Sequence, residues 1–186
     1  MPDVRPLTPA TWPAYADLIR RHDGVWGGCW CLAFHPAADD PGRTGREAAK
    51  RSLVEAGRAE AALVFDGDAC LGWAQYGPPR DLPRIKNRRA YETGQDDAPP
   101  PDWRITCFFT DRARRRDGIA ALALRGAVDL IAKAGGGTVE GYPEEIAGQR
   151  TSAGFLWCGT LSLFEREGFD RDRKIGKHRW VVRRTV

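Results

Sequence analysis

The chain has 186 residues, of which 42% are hydrophobic, and its formal net charge at pH 7 is +4. This length lies within the usual size of one domain, and the hydrophobic fraction is sufficient for one ordinary core. The positive charge favours a ligand that carries phosphates, but it is too low for a protein that coats nucleic acid. We therefore expect a single domain over residues 1–186 that does not act on nucleic acid.

The cysteines and the apolar segments indicate a cellular compartment. The chain contains five cysteines, an odd number, in a sequence too long to need disulfides for stability. No apolar run approaches the roughly 20 residues that a membrane span requires, and the first residues lack the apolar core of a signal peptide. We expect reduced thiols, a cytoplasmic location and no membrane association.

The first half of the chain predicts a short strand, two helices and a hairpin. Residues 4–7 are typical of a strand, and residues 12–21 predict a helix because apolar side chains recur at helical spacing. Residues 25–35 are rich in aromatic side chains and glycine, have no clean period and predict a structured loop, which a second helix follows. Residues 61–65 and 71–76 are apolar runs around a glycine turn, which predicts a β-hairpin.

Residues 78–102 predict an extended loop insertion. They contain two proline clusters, several basic residues and an acidic patch, and they lack the period of a helix or strand. A loop of this length is uncommon inside a compact domain and is often functional. Its basic side chains either form a solvated face or contact an acidic acceptor or protein partner. They are Arg80, Arg84, Lys86, Arg88 and Arg89.

The most informative segment is a strand, a turn and a helix. Residues 105–109 predict a buried strand, and residues 117–134 predict a long helix that three glycines end. Backbone N–H groups and the positive end of a helix dipole meet at such a junction, which makes it an anion site. Small residues at Gly118 and Ala120 let the backbone approach a phosphate closely. The turn reads Arg115-Arg116-Asp117-Gly118-Ile119-Ala120.

The order of elements and two motifs resemble the GNAT N-acetyltransferases. The turn is similar to that family's pyrophosphate loop, Gln/Arg-x-x-Gly-x-Gly/Ala, and residues 164–169 are similar to its Tyr-Glu-Lys-x-Gly-Phe ending. The resemblance implies an α/β (α+β) fold with a central mixed, mostly antiparallel twisted sheet. About six to seven strands and about four flanking helices are expected. Residues 78–102 are not a general feature of the family.

The resemblance also implies acetyl-CoA as the co-substrate. In the family fold, the strand before the loop is bulged and splayed from the next strand, so that the pantetheine arm lies between them. Bulges leave backbone groups without partners that can bind this arm, and an N–H near Phe108 can also stabilise an oxyanion. The expected cofactor-binding residues are Phe108, Phe109, Thr110, Arg115, Arg116, Asp117, Gly118, Ile119 and Ala120.

Amine acetylation needs a proton acceptor, because a lysine-type amine is almost fully protonated at pH 7. Glu140 is the acidic residue within a predicted strand at residues 138–142, and Tyr142 shares its face because side chains alternate along a strand. We expect Glu140 to be the base, directly or through a water. The alternative is that Glu140 forms an ion pair with a neighbouring arginine.

The chain departs from the family pattern at two positions. The family commonly uses a tyrosine of the last helix as the general acid, whereas this chain has Phe164; Tyr142, Ser162 or Cys158 could replace it. Trp157 stands where the family commonly has an asparagine. These departures leave open an alternative function, a non-catalytic acyl-CoA-binding regulatory module.

The acceptor is expected beside the aromatic segment that follows the first helix. Trp26, Trp30 and Phe34 could form a pocket for the carbon skeleton of a small-molecule or protein amine, or instead a hydrophobic plug under the long loop. Two cysteines and a histidine in this segment have no obvious fourth ligand, so no metal is expected. The tryptophan-rich surface could serve a homodimer.

Overall fold

The computed structural model describes residues 2–24, 28–36, 42–94, 99–146, 151–152 and 154–186. Its strands are β1 (Asp3–Pro6), β2 (Glu60–Asp66), β3 (Ala69–Gly77), β4 (Trp103–Thr110), β5 (Thr138–Gly141), β6 (Asp170–Lys174) and β7 (Trp180–Thr185). Its α-helices are α1 (Trp12–Arg20), α2 (Gly42–Glu55), α3 (Arg88–Thr93), α4 (Ile119–Lys133) and α5 (Leu161–Arg166).

The strands form one mixed sheet in the spatial order β1-β2-β3-β4-β5-β7-β6. Neighbouring strands are antiparallel except β4 and β5, which run parallel. Parallel neighbours need a crossover connection, and α4 provides it. The predicted mixed, mostly antiparallel sheet of six to seven strands is therefore confirmed. The described part of the chain has five α-helices rather than about four, and α3 is the helix that was not expected.

Both faces of the sheet are covered, because side chains of successive strand residues point to opposite sides. On one face, α1 and α2 pack over a core that includes Trp73 and Phe109. On the other face, α4 and α5 pack over a core that includes Ala74 and Phe108. The end of β4 therefore contributes adjacent side chains to both cores, and its backbone lies between them.

A glycine in β3 allows α4 to begin close to the sheet. A Cβ atom added to Gly72 would lie 2.5 Å from the carbonyl oxygen of Phe109 and 2.8 Å from the Ile119 side chain. Both distances are far shorter than van der Waals contacts. The absence of a side chain at Gly72 thus lets β4 and the first turn of α4 pack tightly against β3.

One prediction about an individual element was wrong, and one strand was not predicted. The insertion, residues 78–102, contains the regular helix α3, which the buried side chain of Tyr91 anchors to the core. Strand β6 was not predicted because its sequence, Asp-Arg-Asp-Arg-Lys, has no apolar alternation. Both elements depend on tertiary contacts that short-range periodicity does not reveal. The predicted hairpin of β2 and β3 is confirmed.

The five cysteines are all free thiols, and four of them are buried. In the described parts of the chain, no helix has both the length and the apolar character that a membrane crossing requires. The structure is consistent with the expected reduced thiols.

Candidate active site

Strand β4 is bulged and splayed as the resemblance implies. Ala74 of β3 lies opposite Phe108, and Tyr76 lies opposite Ile105, so β4 has one more residue than β3 between these pairs. Strand β4 pairs with β5 only over Trp103–Ile105. From Thr106 onward the two strands diverge, and no strand of the described residues pairs with β4 on that side. This divergence is called the splay below.

The turn between β4 and α4 leaves the first turn of the helix open. Gly118 precedes α4 with a positive φ of 77°, a conformation that glycine adopts without strain, and an added Cβ would meet no atom within 4 Å. The first N–H groups of an α-helix have no partner within the helix. Open space and free donors at a helix N terminus together form an anion site.

A cavity of about 400 Å³ connects this helix terminus with the splay. Eight of the nine predicted cofactor residues line it, and Asp117 does not, because its carboxylate pairs with Arg114 at 2.8 Å. The lining consists of Phe108, Phe109, Thr110, Arg115, Arg116, Gly118, Ile119, Ala120, Ala121, Leu156, Gly159, Thr160, Leu163 and Arg166. The predicted residues thus surround one continuous space.

Three arginines give the cavity a positive charge. Arg115 and Arg116 come from the turn, and Arg166 comes from the end of α5. None of the three forms an ion pair with a carboxylate among the residues that the structure describes. Arg166 was not predicted as a site residue, although it occupies the Lys position of the Tyr-Glu-Lys-x-Gly-Phe motif. Three uncompensated guanidinium groups suit a ligand with several phosphate charges.

The N–H of Phe108 is already hydrogen bonded. It donates to the backbone carbonyl of Trp157 at 2.7 Å, and Trp157 belongs to the segment that precedes α5. The neighbours Leu156 and Gly159 line the cavity. The carbonyl of Trp157 therefore holds the position at which an acyl carbonyl was expected to bind.

Glu140 is fully buried and forms an ion pair. Its carboxylate accepts a hydrogen bond of 2.9 Å from Nε of Arg183, and further hydrogen bonds of 2.8 Å and 2.9 Å from the hydroxyls of Tyr91 and Tyr142. It does not line the cavity. Its surroundings match the ion-pair alternative raised by the sequence, and its role as base stays a prediction.

The candidate general acids do not face the cavity. Tyr142 is buried and donates its proton to Glu140, and burial, with the charge of Glu140, raises its pKa well above the usual value. Burial raises the pKa of the Cys158 thiol to about 12. Ser162 is exposed on α5 with its Oγ 3.3 Å from Oγ1 of Thr160. Of these hydroxyl groups, that of Thr160 lines the cavity.

The aromatic residues predicted for the acceptor side have separate positions. Trp30 is buried and stacks on Trp12 with ring centroids 5.8 Å apart, as the plug alternative describes. Phe34 packs against Trp157 at 5.3 Å and Tyr142 at 6.4 Å, so it lies beside the splay. Trp26 lies outside the described residues. Phe34 is thus the predicted aromatic side chain that packs beside the splay, and it does not line the cavity.

A buried lysine beneath the splay was missed by sequence reasoning. Nζ of Lys50 in α2 lies 3.0 Å from Nε2 of His35 and donates to Gln75 at 2.8 Å. Gln75 in turn donates to Thr106 in the β4 bulge at 3.2 Å. Burial lowers the pKa of Lys50, and burial followed by the charge of Lys50 lowers that of His35 to about 3. This polar chain connects α2 to the bulge.

No metal site is evident in the part of the chain that the structure covers. The described residues contain no group of three or more histidine, cysteine, aspartate or glutamate side chains that could hold a metal ion. The candidate site is therefore built from backbone donors, guanidinium groups and hydroxyls.

Comparisons with known proteins identify the fold. No family model matches the sequence, and no curated protein is significantly similar to it. Mosquito arylalkylamine N-acetyltransferase like 5b has a TM-score of 0.58 and 13% identity, with all of both chains covered. A putative GNAT-family acetyltransferase from Desulfovibrio desulfuricans has a TM-score of 0.55 and 16% identity, with 100% of this chain and 99% of that chain covered.

A third similar structure contains a ligand. The PaiA N-acetyltransferase from Thermoplasma acidophilum, solved in complex with coenzyme A, has a TM-score of 0.51 and 11% identity, with 100% of this chain and 99% of that chain covered. These likenesses extend over the whole length of the chain. The chain has the GNAT fold, as the sequence predicted.

Proposed function

We propose that the chain is an acetyl-CoA-dependent N-acetyltransferase that transfers the acetyl group to a primary amine by direct attack in a ternary complex. One observation carries this proposal: a single cavity joins an open, arginine-rich helix terminus to the splay beside the bulge of β4. Phosphate binding at one end and backbone donors at the other are what an acyl-CoA thioester requires. The reduced thiols support a cytoplasmic location.

The residues present fit coenzyme A. The first turn of α4 would bind the pyrophosphate through backbone N–H groups, since the space at Gly118 is open. Arg115, Arg116 and Arg166 would balance the phosphate charges. The pantetheine arm would follow β4 from Thr110 toward Phe108, where the strand lacks a partner. Bound acetyl-CoA supplies the thioester, whose carbonyl carbon the amine attacks.

The N–H of Phe108 has a specific role in this proposal. Attack by the amine places negative charge on the acyl oxygen, and a backbone N–H aimed at that oxygen stabilises the transition state. In the free protein, the carbonyl of Trp157 accepts this hydrogen bond. The acyl carbonyl must therefore replace the carbonyl of Trp157, so the segment preceding α5 has to shift when acyl-CoA binds.

In this proposal, Glu140 receives the proton through the neighbouring hydroxyl of Tyr142. The carboxylate of Glu140 is enclosed, and the hydroxyl of Tyr142 donates to it at 2.9 Å. We propose that the amine proton reaches Tyr142 through a water, since Tyr142 is buried and does not line the cavity, and that Tyr142 passes its own proton to Glu140. The coenzyme A thiol, with a pKa of about 8.5, leaves as the thiolate near neutral pH without a strong acid.

The alternative function is a non-catalytic acyl-CoA-binding module. The arginine-rich cavity supports it equally. The contacts of Glu140 favour it, because a buried carboxylate that already accepts hydrogen bonds from Arg183, Tyr91 and Tyr142 is not accessible to an amine. Phe164 also favours it, since it replaces the family's usual acid.

Product formation separates the two functions. The protein is incubated with acetyl-CoA and a mixture of primary amines, and mass spectrometry detects N-acetylated products while a thiol reagent measures released coenzyme A. Acetylated amine with stoichiometric coenzyme A supports the enzyme. Saturable binding of acetyl-CoA without any product, across polyamines, amino acids and lysine peptides, would support the binding module.

A further inference from the structure

The ring of Trp157 marks the acceptor side of the splay. Its backbone carbonyl reaches β4 at Phe108, while its ring packs on Phe34 at 5.3 Å and does not line the cavity. Because acyl-CoA would occupy the cavity, an amine must approach the acyl carbon from outside it. The ring of Trp157 lies beside β4 and outside the cavity, so its surroundings are the candidate acceptor side.

Two cations flank this ring. Nζ of Lys86 lies 5.7 Å from the centroid of the Trp157 ring, and Cζ of Arg179 lies 5.8 Å from it. Lys86 comes from the insertion and is exposed, whereas Arg179 is 3% exposed. Both distances are within cation–π range. The candidate acceptor side thus has two cationic side chains from separate parts of the chain. Glu144 balances the charge of Arg179, whereas Lys86 has no ion pair with a carboxylate of the described residues.

Both cations retain hydrogen-bonding capacity. Arg179 donates Nε to Glu144 at 2.8 Å and Nη2 to the same oxygen, while its buried Nη1 has no hydrogen-bond partner. A buried donor without a partner is costly and is rare in folded proteins. Lys86 forms no ion pair with a carboxylate of the described residues. An anionic group at the Trp157 ring could accept a hydrogen bond from Lys86 and, once the ring has moved, from Nη1 of Arg179.

The carboxylates around this region are already neutralised. Glu140 pairs with Arg183, Glu144 pairs with Arg179, and Asp81 of the insertion pairs with Arg58. A polycationic acceptor would thus find these carboxylates occupied and would meet Lys86 as a like charge. An acceptor with its own negative charge would meet two available donors.

We infer that the acceptor is a small amine that carries a carboxylate, as an amino acid does, and that Lys86 and Arg179 bind this carboxylate. The inference rests on the proposed function, since it concerns the acceptor of the same reaction. Lys86, which is exposed, selects for acceptors that carry the carboxylate. Arg179 receives it once the ring of Trp157 has shifted with its backbone.

The test compares amines that differ only in the carboxylate. Acetylation of each of a panel of L-amino acids is measured beside its carboxamide, with spermidine as a polycationic acceptor. We expect kcat/KM to be roughly tenfold to hundredfold higher for the acid than for its amide, the range for a charge-assisted hydrogen bond. Equal rates for acid and amide, preference for spermidine, or no acetylation of any acid would overturn the inference.

Variants of Lys86 test whether this side chain recognises the carboxylate of the acceptor. Lys86→Met is expected to raise KM for the amino acid more than KM for its amide and so to lower the preference for the acid, whereas Lys86→Arg retains most of the preference. Lys133→Met, which removes an exposed lysine from the end of α4, is the matched control. An unchanged preference in Lys86→Met would contradict the inference.

Acetyl-CoA binding, measured by thermal shift on the same samples, separates two kinds of failure. If acetyl-CoA stabilises the protein but acids and amides react alike, the inference about the acceptor fails alone. If acetyl-CoA does not bind, the proposed function fails and the inference fails with it.

Discussion

The backbone carbonyl of Trp157 accepts a 2.7 Å hydrogen bond from the N–H of Phe108. This bond connects the residue that replaces the family's usual asparagine with the strand position expected to bind the acyl oxygen. Because one N–H cannot serve both carbonyls at full strength, acyl-CoA binding competes with this internal contact. In the free protein, the proposed oxyanion donor, the N–H of Phe108, is therefore already hydrogen bonded to Trp157.

Loosening this contact should strengthen acyl-CoA binding. Trp157→Ala leaves the carbonyl in place but removes the ring that packs on Phe34. The segment should then leave β4 more easily, and we expect a Kd for acetyl-CoA roughly twofold to tenfold lower, because less binding energy is used to open the site. Isothermal titration calorimetry measures the change. Trp180→Ala, in β7, is the control, and an equal or weaker affinity in Trp157→Ala would exclude the competition.

Glu140 should contribute to both stability and turnover. Glu140→Gln leaves Arg183 with only the longer ion pair to Asp172, at 3.8 Å, and we expect it to lower the free energy of unfolding by about 2–4 kcal/mol. If Glu140 receives the proton, kcat should fall while the Kd of acetyl-CoA stays the same. Denaturant unfolding and steady-state kinetics measure the two effects. Glu92→Gln, which breaks an exposed pair with Arg88, should change neither, and unaltered kcat in Glu140→Gln would remove Glu140 from the mechanism.

His35 should make the protein sensitive to acid. Burial, followed by the charge of Lys50, lowers the pKa of His35 to about 3 in the folded state, whereas an unfolded histidine titrates near 6.5. Below about pH 6.5 the unfolded chain binds a proton that the folded chain does not, so stability is lost as the pH falls toward 3. His35→Gln should flatten this decline in urea unfolding measured between pH 3.5 and 7. His178→Gln serves as the control, and parallel curves for wild type and His35→Gln would contradict the prediction.

Arg166 should bind the phosphates of coenzyme A. Arg166→Gln removes one of three guanidinium groups at the cavity, and we expect the Kd of coenzyme A to rise roughly threefold to thirtyfold at low salt, with a smaller effect at high salt. Titrations with coenzyme A at two ionic strengths measure the change in Kd and its dependence on salt. Arg89→Gln, an exposed arginine of α3 that does not line the cavity, should bind as wild type does. Unchanged affinity in Arg166→Gln would exclude this arginine from the site.

The sequence predicted the parts of the site that are local in the chain. The strand, the turn at Gly118 and the helix are contiguous, and their spacing and periodicity indicate both the anion site and its place in the fold. Arg166 could also have been predicted, because it occupies the Lys position of the motif at residues 164–169. The order of the residues thus predicts which of them surround one cavity, and their binding of coenzyme A stays a prediction.

The contacts that modify the site are distant in sequence. Glu140 of β5 forms an ion pair with Arg183 of β7. The N–H of Phe108 in β4 donates to the carbonyl of Trp157, in the segment that precedes α5. Lys50 is a charged residue on a helix, where periodicity predicts exposure, yet His35 and Gln75 satisfy its ammonium group inside the protein. Such pairings depend on sheet order and register, which patterns of single residues do not encode.

The most direct test of the account is the thermal stabilisation of the protein by acetyl-CoA in wild type and in Gly118→Glu. Gly118 has a φ of +77° and open space, so a glutamate there strains the turn and places negative charge where a phosphate should bind. Gly67→Glu alters a turn glycine of similar geometry, φ +59°, outside the cavity and is the matched control. We expect acetyl-CoA at about 100 times Kd to raise the Tm of wild type and Gly67→Glu by several degrees and to leave the Tm of Gly118→Glu unchanged. No shift in wild type, or the same shift in Gly118→Glu, would contradict the account.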